Sequence, residues 1–287
     1  TGGGIRSMRE IHLSKVTEEV ARACLRACHR LGEGMKEALA HARSQEESPL
    51  GQWVLEQLLD NAQLAEAGPL PLCQDTGMVV VFAQIGQDVH FTGGNWEEAV
   101  AEGVRKAYVE GNLRKSVVSH PLWRENSGDN TPPVIHTRIV PGDEVKLWIM
   151  PKGFGSENKS RLFMLNPTEG VEGVKRAVVQ TVSEAGGSPC PPTVVGIGVG
   201  GTMEQACILA KWALARPVGQ KAPDPKVAQL EQEILEELNK LGIGPAGFGG
   251  RVTSFAVHME TYPTHIAGLP VAVNLLCHAA RHEQVVL

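Results

Sequence analysis

The chain has 287 residues, enough for one large domain or two modest ones with a sizeable hydrophobic core. Hydrophobic residues make up 42% of it and charged residues 21%, as in an ordinary globular protein. The formal net charge of -5 argues against a nucleic-acid-binding protein, and no apolar stretch approaches the roughly 20 residues that span a bilayer. We therefore expect a cytoplasmic protein, in which six cysteines are thiols or metal ligands rather than disulfides.

The N-terminal part is predicted to be helical. Thr1–Ser7 reads as a remnant of cloning, and we expect the natural chain to start at Met8 without the apolar core of a signal peptide. Apolar residues recur at helical spacing from Thr17 to about Ala42, and a second helix is predicted from Ser48 to about Gly68. Residues 8–70 are therefore predicted to form a helical subdomain. Cys24 and Cys28 lie on the inner face of its first helix, where core packing explains them better than metal binding.

A short polar loop, Pro71–Gly77, follows this helical part. It places a thiol, an amide, a carboxylate and a hydroxyl side by side, and the apolar run Met78–Ile85 comes directly after it. A loop that leads into a buried strand is a common place for polar side chains to be held rigidly. Three interpretations of Cys73 beside Asp75 stay open: a nucleophile with a helper, a metal ligand with an adjacent base, or an ordinary cysteine beside a turn.

Residues 71–287 are predicted to form a mixed α/β sheet domain that acts as one continuous catalytic unit. A loop at Pro151–Ser160 offers backbone N–H groups and two lysines, which suit an anion, although a flexible connector is the alternative. Strands and helices alternate along this part of the chain. The predicted elements are a helix at 96–110, a strand hairpin at 134–140 and 145–150, a helix at 167–184, a strand at 193–199, helices at 203–215 and 224–241, and strands at 252–257 and 269–276.

The six cysteines fall into two groups. Cys73, Cys190 and Cys277 stand in loops or at the ends of strands, whereas the other three lie on predicted helices. Cys190 is flanked by prolines that fix the backbone on both sides, so core filling explains it poorly. Three widely spaced loop cysteines suggest a metal or cluster that the fold assembles, rather than a local zinc knuckle.

Two other motifs are typical of different functions. Gly196–Gly201 follows a strand and opens a helix, the context of a dinucleotide-binding loop, but its pattern is GxGxGG and no second strand ending in an acid follows. His258-x-Glu260 is shared with zinc deaminases, but the cysteine pair of that family is missing. A nicotinamide dehydrogenase stays as a minor alternative, and a zinc deaminase is excluded.

Several motifs together resemble the iron–sulfur hydro-lyases, namely class I fumarases and L-tartrate dehydratases. The resemblance runs in order over nearly the whole chain from Met8, which makes it more specific than any one motif. The matching stretches are Leu72–Gly77, Leu113–Ser116, Lys152–Asn158, Gly196–Thr202 and Thr264–Asn274. The chain ends where single-chain class I fumarases continue into a second domain. The resemblance thus implies an α subunit that a separate β subunit completes, with a dimer of αβ units as the expected assembly.

The resemblance also implies roles for individual residues. In this family three cysteines hold a [4Fe–4S] cluster, and the matching positions are Cys73, Cys190 and Cys277. Gln74, Asp75, Arg114 and Gly155 match substrate-contacting positions, and Arg114 suits a carboxylate as a bidentate donor. His265 matches an active-site histidine, and Asp75 is expected to serve that histidine or to act on its own in catalysis. The alternatives are that Gln74 and Asp75 only shape their loop and that His265 only caps a turn.

The implied reaction is the reversible hydration of fumarate to (S)-malate. Dehydration of L-tartrate is the second candidate, and a cluster-carrying or scaffolding subunit without turnover is a third. Two departures bear on the choice: Phe154 stands where the family often has glycine, and Lys115 stands where fumarases commonly have threonine. The threonine that serves as the family's base lies in the missing half, so we expect the isolated subunit to be nearly inactive.

Overall fold

The computed structural model describes residues 8–287, so the predicted cloning remnant lies outside the described residues. The predicted α/β class is confirmed. The described part contains eight α-helices and ten strands. In chain order they are β1 (Arg9–His12), α1 (Leu13–His29), α2 (Met35–Gln45), α3 (Pro49–Ala67), β2 (Met78–Gly86), β3 (Val89–Thr92), α4 (Trp96–Glu110), β4 (Val134–Val140), β5 (Val145–Lys152), α5 (Phe154–Glu157), β6 (Arg161–Leu165), α6 (Gly170–Ala185), β7 (Thr193–Gly200), α7 (Met203–Ala213), α8 (Pro225–Asn239), β8 (Ser254–Tyr262), β9 (Leu269–Leu276) and β10 (Glu283–Val286).

The chain divides into two compact units. The first comprises the described residues up to Arg30 together with Gly68–Lys152 and Arg281–Leu287. The second comprises Leu31–Ala67 and Gly153–Ala280. None of the helices in residues 8–287 combines the length and the apolar character needed to cross a lipid bilayer.

The first unit is built on a four-stranded sheet in the order β10-β5-β2-β4. Its core joins apolar residues of α1, α4, β2 and β5. The hairpin predicted from β4 and β5 is wrong, because β2 lies between them, parallel to β4 and antiparallel to β5. The physical reason is that β2 is apolar along almost its whole length, and such a strand is most stable at the centre of a sheet.

The single helix predicted from Thr17 to Ala42 is also wrong. The structure has α1 ending at His29 and α2 beginning at Met35. Gly34 between them has a φ of 79°, and a Cβ at this position would lie 2.0 Å from the carbonyl oxygen of Val218. Apolar spacing continues across this break, so periodicity alone did not reveal it.

The second unit is built on a sheet in the order β6-β9-β7-β8, with β7 parallel to β8 and antiparallel to β9. Val195 and Ile197 of β7 face the core formed with α6 and α8. Two of the alternate positions of β7, Gly196 and Gly198, are glycines that let α7 approach closely. A Cβ at Gly198 would lie 2.0 Å from the carbonyl oxygen of Ala206, and one at Gly196 would lie 2.2 Å from that of Ala210. The close packing of α7 thus accounts for the glycines at positions 196 and 198.

The hairpin of α2 and α3 is fastened within the second unit by one buried carboxylate. Glu46 is 2% exposed and follows α2 directly. Its side chain accepts hydrogen bonds from the backbone N–H groups of Glu47, Ser48, Arg251 and Val252 at 2.9 to 3.0 Å. Burial acts to raise the pKa of Glu46, but these N–H donors outweigh it and lower the pKa from 4.5.

Candidate active site

In the first unit, the loop that carries Cys73 is held at several backbone atoms. The N–H of Leu72 donates to the carbonyl oxygen of Cys28 at 2.9 Å, and the hydroxyl of the fully buried Tyr108 donates to the carbonyl oxygen of Thr76. Cys73 itself is partly exposed and Gln74 is exposed. The backbone on either side of Cys73 and Gln74 is therefore held from inside the unit.

Asp75 lies in the same loop and has a structural contact of its own. Its Oδ1 accepts the N–H of Gly77 at 3.0 Å, and its carbonyl oxygen accepts a hydrogen bond from Arg281. Arg281 is 4% exposed and also donates from Nε to the carbonyl oxygen of Pro151 at 3.3 Å. Asp75 therefore shapes its loop, as one interpretation of the sequence expects, and this contact does not prevent a chemical role.

Arg114 lies next to this loop within the first unit. Its carbonyl oxygen accepts a hydrogen bond from Thr76 Oγ1 at 3.1 Å, and Thr76 is fully buried. The Arg114 side chain is exposed. The structure thus brings together Cys73, Gln74, Asp75 and Arg114, four of the predicted site residues, on two backbone segments that are hydrogen-bonded to each other.

A polar turn supports the segment after Arg114, and its carboxylate has a shifted pKa. Asp129 accepts a hydrogen bond from Arg105 Nε at 2.8 Å and two more from Thr131. Burial acts to raise the pKa of Asp129, but these hydrogen bonds lower it from 3.8 to about 2.

This shift predicts an acid-sensitive contribution to stability. A carboxylate whose pKa is lower in the folded state stabilises the fold above its unfolded pKa, and the contribution is lost as the pH falls from about 4 to about 2. We expect Asp129→Asn to lower the free energy of unfolding by about 1 kcal/mol near neutral pH, and the difference to vanish at low pH. Urea unfolding over this pH range measures it. Asp143→Asn, in the exposed turn between β4 and β5, is the control, and an equal difference at all pH values would contradict the assignment.

In the second unit, Cys190 and Cys277 lie at the same edge of the sheet. Cys190 precedes β7 and Cys277 directly follows β9, and these strands are antiparallel. The N–H of His278 donates to the carbonyl oxygen of Cys190 at 3.1 Å. Cys190 is exposed and has a φ of 55°, an uncommon conformation for a residue with a side chain. Such backbone strain is concentrated at functional sites, which supports a ligand role for Cys190.

Gly155 lies beside the Cys190 loop in this unit. It belongs to the short helix α5, and a Cβ at this position would lie 3.6 Å from the carbonyl oxygen of Ser188. The predicted anion-binding loop is therefore helical in its middle, and Lys152, one of its two lysines, is 2% exposed. Gly155 is exposed, whereas the Lys152 side chain is not accessible to an anion.

His265 lies at the opposite end of β9 from Cys277. Its Nδ1 accepts the N–H of Ala267 at 3.1 Å, so Nε2 carries the proton of the neutral ring. Its loop borders a mainly apolar cavity of about 650 Å³ in the second unit. The strand between the two residues has eight residues, which places them roughly 20 Å or more apart. Within this unit the structure does not bring His265 to the cysteine pair, and its catalytic role stays a prediction.

The remaining cysteines differ from these three. Cys24 and Cys28 are fully buried in the core of the first unit, as the sequence predicts. Burial raises the pKa of the Cys24 thiol well above its usual value and also raises that of Cys28, which disfavours the thiolate that metals require. Cys207 is exposed on α7. Within residues 8–287, no three His, Cys, Asp or Glu side chains are gathered around a common metal position.

The structure also reveals supporting residues that the sequence analysis did not single out. Asn274 on β9 donates from Nδ2 to Glu157 Oε2 at 3.0 Å and to Ser160 Oγ at 2.8 Å, and Lys211 pairs with Glu157 at 2.5 Å. These bonds join two of the motifs on which the resemblance rests. A lone asparagine in the otherwise apolar run of β9 was the sequence signal that would have identified this link.

Comparison with known proteins places the chain in a family. The family model described as fumarate hydratase (fumerase) matches residues 17–286. The chain belongs to the fumarate hydratase family. A Methanocaldococcus jannaschii protein with the provisional name L(+)-tartrate dehydratase subunit alpha is 42% identical over 273 residues, covering 93% of this chain and 95% of that protein. The L(+)-tartrate dehydratase subunit alpha of Escherichia coli strain UTI89 is 33% identical over 280 residues, covering 96% of this chain and 91% of that protein.

The fumarate hydratase family is a family of hydro-lyases, so the predicted enzyme class is confirmed. The family is generally dependent on an iron–sulfur cluster. The chain has thiols that suit the ligands of such a cluster. The cysteines that lie in loops and are at least partly exposed are Cys73, Cys190 and Cys277.

Proposed function

We propose that the chain is the α subunit of a [4Fe–4S] hydro-lyase that reversibly hydrates fumarate to (S)-malate. The observation that carries the proposal is the joined pair of segments in the first unit, which presents Cys73 and Asp75 beside Arg114. A thiol, a carboxylate and a guanidinium on two hydrogen-bonded backbone segments suit a dicarboxylate substrate that is bound at a metal centre.

In this proposal Cys73, Cys190 and Cys277 are the ligands of the cluster. When bound, the cluster supplies an open iron that acts as a Lewis acid toward the hydroxyl and one carboxylate of the substrate. The three thiols are at least partly exposed, and Cys190 has a strained backbone, which supports their assignment.

The other residues bind and orient the substrate. Arg114 donates two parallel hydrogen bonds to the distal carboxylate, and Gln74 donates its side-chain amide to the substrate. The backbone N–H groups near Gly155 approach the substrate closely because glycine has no side chain. Asp75 holds or moves a proton at its carboxylate, and His265 is kept as a second candidate for proton transfer.

A β subunit is proposed as the partner, in an assembly of two αβ units. The support is that the relatives at 31% to 42% identity are named as alpha subunits. Their names also favour a second candidate function, the dehydration of L-tartrate. Both substrates are four-carbon dicarboxylates, so the same arginine and cysteine positions suit either one.

The test is a substrate comparison on the αβ complex after anaerobic reconstitution with iron and sulfide. We expect fumarate and malate to be interconverted with a kcat/KM at least about tenfold above that for L-tartrate, a transition-state difference of about 1.4 kcal/mol. The α subunit alone is the control and is expected to be nearly inactive. A preference for L-tartrate would replace the leading function by the second, and turnover of neither substrate would refute both.

A further inference from the structure

The polar turn Asn126–Asn130 contacts both segments of the site in the first unit. Asn130 is fully buried, and its side-chain amide bridges the two segments. Its Oδ1 accepts the N–H of Ser116 at 2.7 Å, and its Nδ2 donates to the carbonyl oxygen of Gly77 at 3.1 Å. Ser116 is two residues after Arg114, and Gly77 is two residues after Asp75. One side chain therefore connects the segment of the arginine with the loop of the carboxylate.

An asparagine is well suited to this position. Its φ of 64° lies in the left-handed region, which asparagine tolerates better than most residues with a side chain. The bridge also requires a donor and an acceptor on the same short side chain, which aspartate does not provide in its ionised form. Both requirements of the site, in the backbone and in the side chain, are met by Asn130.

The segment of Arg114 is held at three consecutive residues. Thr76 Oγ1 donates to the carbonyl oxygen of Arg114 at 3.1 Å, and Asn126 Nδ2 donates to that of Lys115 at 2.9 Å. Asn130 holds the N–H of Ser116. All three contacts involve the backbone, and the Arg114 side chain itself stays exposed. The arrangement fixes the backbone from which the Arg114 side chain extends and leaves its guanidinium available for a ligand.

We propose that Asn130 is a positioning residue that sets Arg114 relative to Asp75, and so governs how well a dicarboxylate fits between them. The proposal rests on the proposed function, in which Arg114 binds the distal carboxylate. A displacement of a substrate-binding group by about 1 Å from its productive position lowers the rate by up to about 100-fold. Loss of the bridge made by Asn130 therefore has a measurable effect. Asn130 acts through Arg114 and does not touch the substrate.

The first test is Asn130→Gly in the reconstituted αβ complex. Glycine keeps the positive φ without strain and removes both side-chain hydrogen bonds. We expect kcat/KM for the dicarboxylate to fall about 10- to 100-fold, mainly through a higher KM, because the affected contact binds the substrate carboxylate. The matched control is Asn112→Gly: Asn112 also has a positive φ, of 51°, but is exposed at the end of α4. We expect no change in KM for this control.

A double-mutant cycle distinguishes positioning from a general loss of stability. In the Arg114→Ala background, Asn130→Gly is expected to cause no further loss of kcat/KM, because the side chain that it positions is absent. Additive losses in the double variant would overturn the positioning role. Should Asn130→Gly fail to fold, Asn130→Asp serves in its place, because it keeps an acceptor for Ser116 and loses the donor to Gly77.

Hydrogen exchange provides a readout that is independent of turnover. The N–H of Ser116 is expected to exchange at least about tenfold faster in Asn130→Gly than in the wild type, and to be unchanged in Asn112→Gly. Unchanged exchange at Ser116 would refute the bridge itself. If the wild-type complex turned over no dicarboxylate, the proposed function would be refuted, and this measurement would still decide whether Asn130 holds the two segments together.

Discussion

Replacing Cys190 or Cys277 with serine is expected to abolish iron binding and to lower activity by more than about 100-fold. Removing residues that merely support a metal ligand costs 10- to 100-fold, so removing a ligand itself has a larger effect. Both residues lie at one edge of the sheet of the second unit, where the N–H of His278 donates to the carbonyl oxygen of Cys190. The same loss is expected for Cys73→Ser, because Cys73 supplies the third thiolate of the proposed site.

The measurement is the iron and sulfide content after anaerobic purification, followed by an activity assay of the αβ complex. Cys207→Ser is the matched control, since Cys207 is also an exposed cysteine but lies on α7, outside the predicted ligand set. Full iron content in Cys190→Ser would contradict the ligand assignment. Loss of iron in Cys207→Ser as well would show that the effect is not specific to the proposed ligands.

The second large effect is expected at Glu46. Glu46→Ala removes the acceptor of four buried or partly buried backbone N–H groups, on Glu47, Ser48, Arg251 and Val252. An unsatisfied buried donor costs about 1 to 3 kcal/mol, so we expect the free energy of unfolding to fall by about 3 kcal/mol or more. The hairpin of α2 and α3 is the part that should loosen first, because Glu46 fastens it to the segment before β8.

Urea unfolding measures the effect, with Glu47→Ala as the control. The Glu47 side chain is 73% exposed and pairs with Arg251 at 3.3 Å, so its loss is expected to cost less than about 1 kcal/mol. Because the pKa of Glu46 is lowered in the folded state, its contribution is present above about pH 4.5 and is lost as the pH falls below that value. The advantage of the wild type over Glu46→Ala should therefore become smaller in acid. Equal stability of the two proteins at neutral pH would refute this assignment.

The sequence predicted much of this molecule, and the failures have identifiable physical reasons. The division of the cysteines into loop and helix groups agrees with the structure, because helical spacing and flanking prolines are local signals. The pairing of β4 and β5 was wrong because strand order depends on which strand is most apolar, and this competition involves the whole sheet. The bridge made by Asn130 was not predictable, because it joins residues that lie far apart in the chain.

The separation of His265 from Cys277 was predictable from the sequence. The run Leu269–Leu276 was predicted as a strand, and a strand of that length separates the residues at its two ends by roughly 20 Å or more. His265 and Cys277 flank this run. Applied to the sequence, the same geometry would have placed these two residues at different ends of the sheet.

The glycines of β7 have a consequence for the loop that carries His265. Because α7 packs on β7 without intervening side chains, the turn between them is held closely, and that turn is bonded to the loop through Thr264 Oγ1 and the carbonyl oxygen of Gly201 at 2.9 Å. This bond lowers the conformational entropy that the loop would lose when a ligand binds. Ile266 is 90% exposed at its tip, and a molecule that binds against it meets a surface that is already ordered.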